Sequence, residues 1–186
     1  MQKERHHRSL RLPVLISAVW LIWTGAANAS SQYRDLIDMP ALKMASARNA
    51  LTLDVTHAGK RLVIVGERGH ILFSDDQAMT WQQAEVNTRA HLNAVTFADT
   101  SNGWAVGEDA VIVHTTDGGR TWSRQFDARN ADPKGPLLDV WFKNIREGFA
   151  VGVYNKIYKT SDGGKTWVDW AGHVDNPDSW HLFAIA

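Results

Sequence analysis

From Leu51 onward, apolar residues in this chain come in short runs bounded by glycine, aspartate and asparagine, not in the long periodic stretches of a helix. Leu62-Val63-Ile64-Val65 ends at Gly66, Trp104-Ala105-Val106 at Gly107, and Phe149-Ala150-Val151 at Gly152. A few polar or small residues follow each glycine, and then a second run alternates in part, as in Val111-Ile112-Val113-His114. β-Branched and aromatic runs of this length between turn residues predict strands. The second run leads into Thr-Thr-Asp-Gly-Gly-Arg-Thr-Trp, where Gly118 and Gly119 supply the positive φ of a tight hairpin.

The pattern is repeated. Gly103 to Trp122 and Gly148 to Trp167 align without a gap over twenty residues, and Leu62 to Trp81 is a weaker third copy. Gly66, Gly107 and Gly152 share a column, as do Ile71, Ile112 and Ile157. A further strand precedes each unit: Leu92 to Phe97 aligns with Leu137 to Phe142, and Leu53-Asp54-Val55 is the first copy. Val55, Val95 and Val140 lie 40 and 45 residues apart. Four short antiparallel strands per repeat of about 40–45 residues predict an all-β fold of β-propeller blades. The expected blades span residues 51–90, 91–135 and 136–180. His181 to Ala186 repeats His91 to Thr96 and reads as the start of a fourth. Three blades and a start cannot close a ring. The reading is therefore a partial propeller, truncated or split, that either associates with a second copy or a complementary fragment through uncovered sheet faces or is only marginally folded.

Within the repeat, the string (Ser/Thr)-x-Asp-x-Gly-x-Thr-Trp is the Asp-box, or BNR, motif. Thr115, Asp117, Gly119, Thr121 and Trp122 fit it, as do Thr160, Asp162, Gly164, Thr166 and Trp167. The first copy keeps Ser74, Asp76, Thr80 and Trp81 but has Ala78 at the glycine position, which predicts a looser or distorted turn. An acid recurring at one position in every blade is a turn stabiliser rather than a catalytic group, because one active site does not need one acid per blade. By the same logic the three tryptophans are core residues.

Charge and the N-terminus narrow the setting. Lys3, Arg5, Arg8 and Arg11 precede an apolar stretch from Leu12 to Trp23, and Ala27-Asn28-Ala29 is a small-x-small cleavage site. Residues 1–29 therefore read as a secretory signal cleaved after Ala29, for a periplasmic or secreted protein. Its removal takes the twenty basic and twenty acidic residues to 16 and 19, a net of −3. No basic stripe remains for nucleic acid. The chain has no cysteine, hence no disulfide. No ligand spacing predicts a metal, and no phosphate loop predicts a nucleotide or other cofactor. Residues 30–50 carry no copy of the repeat. They are a leader that either supplies a ring-closing strand or is a loosely packed lead-in.

The signal, the leader string Tyr33-Arg34-Asp35-Leu36-Ile37-Asp38-Met39-Pro40-Ala41, and the repeated Asp-Gly-Gly-x-Thr-Trp together resemble the photosystem II stability and assembly factor-like BNR proteins. That resemblance implies a propeller acting as a non-enzymatic assembly factor in photosynthesis, with protein partners that are membrane-bound or exported. Asp-boxes also occur in sialidases, so the alternative is a glycan-processing hydrolase. Against it, the Arg11-Leu12-Pro13 string, which a sialidase arginine motif would want near the start of the mature chain, lies in the signal. Although Glu67, Glu108 and Asp109 could converge, a glycosidase needs two opposed carboxylates on a closed funnel, and the ring is incomplete.

If the strands of a blade run A to D, the Asp-boxes are C–D turns, and the B–C turns and D–A connections share the opposite rim. Loops that vary on a rigid scaffold are where binding residues concentrate. The candidate binding rim is accordingly Glu67, Arg68, Arg89, His91, Glu108, Asp109, Arg129, Tyr154, Trp180 and His181. The bland reading of each is ordinary solvated loop polarity. No catalytic residue is assigned.

Overall fold

The computed structural model describes residues 34–186. The segment read as a signal, 1–29, and the first leader residues, 30–33, lie outside the described residues. The described chain contains no α-helix, only strands and single 3-10 turns. Blade 1 is β1 (Thr52–Ala58), β2 (Arg61–Gly66), β3 (Ile71–Ser74) and β4 (Gln82–Gln83), hydrogen-bonded in that order. The connection to blade 2 holds an additional short strand, β5 (Glu85–Val86). Blade 2 is β6 (Leu92–Phe97), β7 (Gly103–Gly107), β8 (Ile112–Thr115) and β9 (Thr121–Phe126). Blade 3 is β10 (Leu137–Phe142), β11 (Gly148–Gly152), β12 (Ile157–Thr160) and β13 (Val168–Asp169).

Neighbouring strands within each blade are antiparallel, which is the meander that short loops allow. β5 departs from this: it adds to the outer edge of blade 2 in parallel with β9, pairing Glu85 with Thr121 and Val86 with Trp122. The fourth strand is only two residues long in blades 1 and 3.

Packing between blades follows the two-residue alternation of a strand. On β2, Val63 and Val65 face blade 2 and meet Val95, Ala105, Val113 and Trp122 in one apolar cluster. On β7, Trp104 and Val106 face blade 3 and meet Val140, Phe142 and Ala150 in a second. The indole of Trp104 stacks on Phe142 with ring centroids 3.5 Å apart. Phe97 meets Trp122 edge-on at 5.8 Å, and the same columns one blade later, Phe142 and Trp167, meet edge-on at 5.9 Å. The repeat in sequence is thus a repeat in aromatic geometry.

The glycine column has a steric cause. A Cβ on Gly66, Gly107 or Gly152 would collide with the carbonyl of Leu51, His91 or Pro136, just before the innermost strand of the same blade. The φ at Gly66 and Gly107 is extended and open to any residue, so it is the close backbone approach that demands glycine.

The innermost strands are also tied across blades. Asp54 Oδ2 accepts the Val95 amide at 2.8 Å, and Asp139 Oδ2 accepts the Ile185 amide at 2.8 Å. Ile185 and Val95 share a repeat column, so the last residues dock as the first strand of blade 2 does. Blade 2 has Ala94 in the aspartate column, and the adjacent Asn93 instead donates to the Leu137 carbonyl at 2.8 Å.

The described part of the leader forms no strand. It makes 3-10 turns at Leu36–Asp38 and Ala47–Asn49 and buries Ile37 completely in the cluster between blades 1 and 2.

Candidate functional site

On one rim lie the three Asp-box turns. In the second, Thr115 Oγ1 donates to Asp117 Oδ1 at 2.8 Å and accepts the Gly119 amide at 3.0 Å. Asp117 Oδ1 accepts the amides of Arg120 and Thr121 at 2.9 and 3.0 Å, and Oδ2 accepts the Thr121 hydroxyl at 2.7 Å. Thr160, Gly164, Thr166 and Asp162 repeat the pattern in the third turn.

These carboxylates are fully spent on local donors. Asp76 is drawn down to about 2 by the Thr80 hydroxyl and amide. Asp162 is held at about 2 by the Thr166 amide and hydroxyl. Asp117 is opposed by partial burial but is still held at about 2 by Thr121 and Thr115. A carboxylate held so firmly ionised is a poor general acid near neutrality.

Ala78 does not loosen the first turn. Gln77 and Ala78 take φ of 60° and 69°, beside 71° and 88° for Gly118 and Gly119. The Ala78 amide reaches Ser74 Oγ at 2.9 Å, and Asp76 receives Thr80 at 2.8 and 2.5 Å. The network imposes the left-handed backbone on a residue that resists it.

The tryptophans are not equivalent. Trp122 is buried and its Nε1 donates to the Gly119 carbonyl at 3.0 Å, whereas Trp81 and Trp167 are only half-buried. β5 and leader residues Pro40 and Ala41 flank Trp122, a cover that Trp167 lacks. A latch on this rim joins blades 1 and 2. Arg61 pairs with Asp75 at 2.7 Å, lies over Phe73 at 4.4 Å, and donates to the Gly118 carbonyl at 2.8 Å.

The opposite rim is divided by the leader. Arg89, proposed from sequence as a binding residue, is half-buried and donates through its guanidinium to the Pro40 carbonyl at 3.2 and 3.0 Å. Arg129 is likewise engaged, by Asp38 at 2.7 and 2.8 Å and by Asp127 at 2.8 and 3.0 Å. Both arginines therefore hold the chain's own leader. Glu67 lies near the entry to β1, accepting the Leu51 amide at 3.4 Å.

The B–C turns place two left-handed residues in succession: Arg68-Gly69, Asp109-Ala110 and Tyr154-Asn155. That backbone aims Arg68 and Tyr154 outward into solvent. Asp109 is half-buried, and its carbonyl accepts the Ala128 amide at 3.0 Å. His91 and Glu108 are exposed. At blade 3 the rim is aromatic: Tyr154 and His181 meet edge-on at 5.0 Å, and Trp180, next to His181 in sequence, is 65% exposed.

Several residues at this rim had no sequence signal. His70 is buried with neither ring nitrogen hydrogen-bonded, and burial lowers its pKa. Arg124 donates to the Ile37 carbonyl and to Asp38. Asp54 and Asp139 do share a repeat column, and that recurrence is the signal that could have found them. Among the described residues no group of three or more His, Asp or Glu is placed to hold a metal ion, and no helix is long and apolar enough to cross a membrane.

A family model described as photosynthesis system II assembly factor YCF48 matches residues 31–129. Among solved structures, YCF48 bound to a D1 peptide superposes with a TM-score of 0.55 at 26% identity, over 70% of this chain and 46% of that one. YCF48 from Cyanidioschyzon merolae has the same fold, with a TM-score of 0.54 at 23% identity over 64% of this chain and 39% of its own. The chain thus spans less than half the length of either structure. No curated protein matches it.

Proposed function

The chain belongs to the photosynthesis system II assembly factor YCF48 family, and from that membership we propose that it is an exported, non-enzymatic propeller that holds segments of protein partners. The observation that carries this reading is the division of labour between the rims. All three repeated carboxylates are consumed by their own turns. The opposite rim presents exposed aromatic and charged side chains, led by Tyr154, Trp180 and His181. Exposed aromatics on a rigid scaffold suit peptide recognition, since they contribute contact area at low entropic cost. The peptide-bound YCF48 structure supports the same use of the fold. Export rests on the basic, apolar and Ala-Asn-Ala segments of residues 1–29.

The full chain, expressed with its own N-terminus and recovered from the exported fraction, should begin at Ser30 on N-terminal sequencing. Used as bait there, it should retain a defined protein that the Tyr154→Ala/Trp180→Ala double variant releases. Aryl glycosides and sialosides should not be turned over. Turnover abolished by Glu67→Gln or Glu108→Gln would replace the binding reading with a glycan hydrolase.

A further inference from the structure

The leader is bound as a peptide ligand is bound. Its main chain is read at successive points by groups from blades 1 and 2. The Arg89 amide donates to the Leu36 carbonyl at 3.0 Å, and the Ala41 amide donates to the Val86 carbonyl at 2.9 Å. The Gln83 carboxamide clamps two residues at once, donating to the Leu42 carbonyl at 2.8 Å and accepting the Met44 amide at 2.9 Å. Contacts of this kind recognise an extended backbone whatever its side chains.

Side chains add identity at a few points: Lys43 Nζ donates to the Gln83 carbonyl at 2.6 Å, and Asp35, just ahead of the segment, lies 3.6 Å from Arg129. Ile37 is wholly buried, and Asp38 is gripped by the Arg124 and Arg129 guanidinium groups at 2.7–2.8 Å. Planar guanidinium groups favour this forked geometry with a carboxylate. The flanking Leu36, Leu42 and Met44 are exposed.

Two features mark the channel as built for exchange. Arg129 is held independently by Asp127 through Nε and Nη2, so it keeps its orientation without the leader. With the leader away, Arg124 and Arg129 share one carboxylate, Asp127, which leaves one positive charge to be matched. The channel is also not filled: a cavity of about 440 Å³ opens beside Pro40 and Ala41, walled by Val86 and Trp122.

We propose that this channel between blades 1 and 2 is a peptide-binding site occupied in cis by Leu36–Met44. Its partner ligand is an extended protein segment in which an aliphatic residue is followed directly by a carboxylate. The leader is then an intramolecular competitor for that segment. The inference rests on the reading of the chain as a protein-binding propeller, and it names a site apart from the aromatic rim.

The test uses the full chain and a fluorescein-labelled synthetic peptide of residues 34–45, followed by anisotropy. Ile37→Ala loosens the cis segment, and the labelled peptide should then bind at least about tenfold more tightly than it does to the unsubstituted chain. Unlabelled peptide should compete, and the same peptide with Asp38→Asn should compete about tenfold less well. Adding Arg129→Ala should abolish the gain. Should Ile37→Ala fail to fold, Asp38→Asn in the full chain keeps the apolar anchor and serves in the same assay. A variant with unchanged circular dichroism and melting that binds no peptide, or one indifferent to Arg129→Ala, overturns the proposal. Retention of a partner dependent on Tyr154 and Trp180 is measured separately, so failure of peptide exchange leaves the rim reading standing.

Discussion

Ala78 shows how much one side chain can be made to tolerate. It occupies a left-handed conformation at φ 69°, where the other two turns place Gly119 and Gly164 at 88° and 82°. A Cβ in that region costs about 1–2 kcal/mol. Ala78 is also exposed, so its methyl contributes no packing in return. Ala78→Gly should therefore raise stability by about 0.5–1 kcal/mol once the greater chain entropy of glycine in the unfolded state is offset. Thermal or urea unfolding measures it, and a destabilised variant would show that the first turn draws on something other than its backbone network. At the same scale, repeat recurrence was a reliable guide to role for aspartate and an unreliable one for tryptophan. Hydrogen bonds within a turn are local and recur wherever the string recurs. Burial of Trp122 depends on β5 and the leader lying against it.

The three Asp-box turns make a pH-dependent element. Their carboxylates titrate at about 2 in the folded chain, below the ordinary carboxylate value near 3.8. For a depressed folded-state pKa, the stabilisation is complete above the unfolded value and is lost as pH falls through the folded value. Stability should thus be level near neutrality with respect to these groups and decline from about pH 4 toward pH 2. Asp117→Asn should flatten part of that decline while lowering stability at pH 7. Urea titrations at stepped pH decide the matter, and a wild-type slope retained in the variant would place the acid sensitivity elsewhere. The leader is the counterexample among the elements. Its composition, with Pro40 and scattered apolar residues, left open a ring-closing strand or a loose lead-in. It is instead a docked segment, because Asp38 meets two arginines 86 and 91 positions away and Ile37 enters the apolar cluster between blades 1 and 2.

For the molecule as a whole, blade stacking decides what a repeat position is worth. Val55, Val95 and Val140 share one column, yet Val55 is 57% exposed while Val95 and Val140 are 6% and 4% exposed. Val95→Ala should cost about 2 kcal/mol through lost burial and an unfilled cavity. Val55→Ala should stay within about 0.5 kcal/mol. Chemical denaturation of the two variants compares them directly, and equal costs would mean that contacts within a blade, rather than between blades, carry the column.

The sequence by itself determined the four repeated strands of each blade, the propeller architecture and the turn-stabilising role of each Asp-box carboxylate. Those features follow from interactions among residues a few positions apart, repeated in register: side-chain alternation, turn glycines, and hydroxyl-to-carboxylate bonds spanning two to four residues. Tertiary structure alone decided which rim residues are free. Arg89 and Arg129 look like any other loop charges in the sequence and Arg124 like any polar strand position, and only the folded chain brings the Asp38 carboxylate and the Pro40 and Ile37 carbonyls against them. The same holds for the Asn93 bridge between blades and for the burial of Trp122. Each depends on pairing across tens of residues, where no local periodicity records which groups will meet.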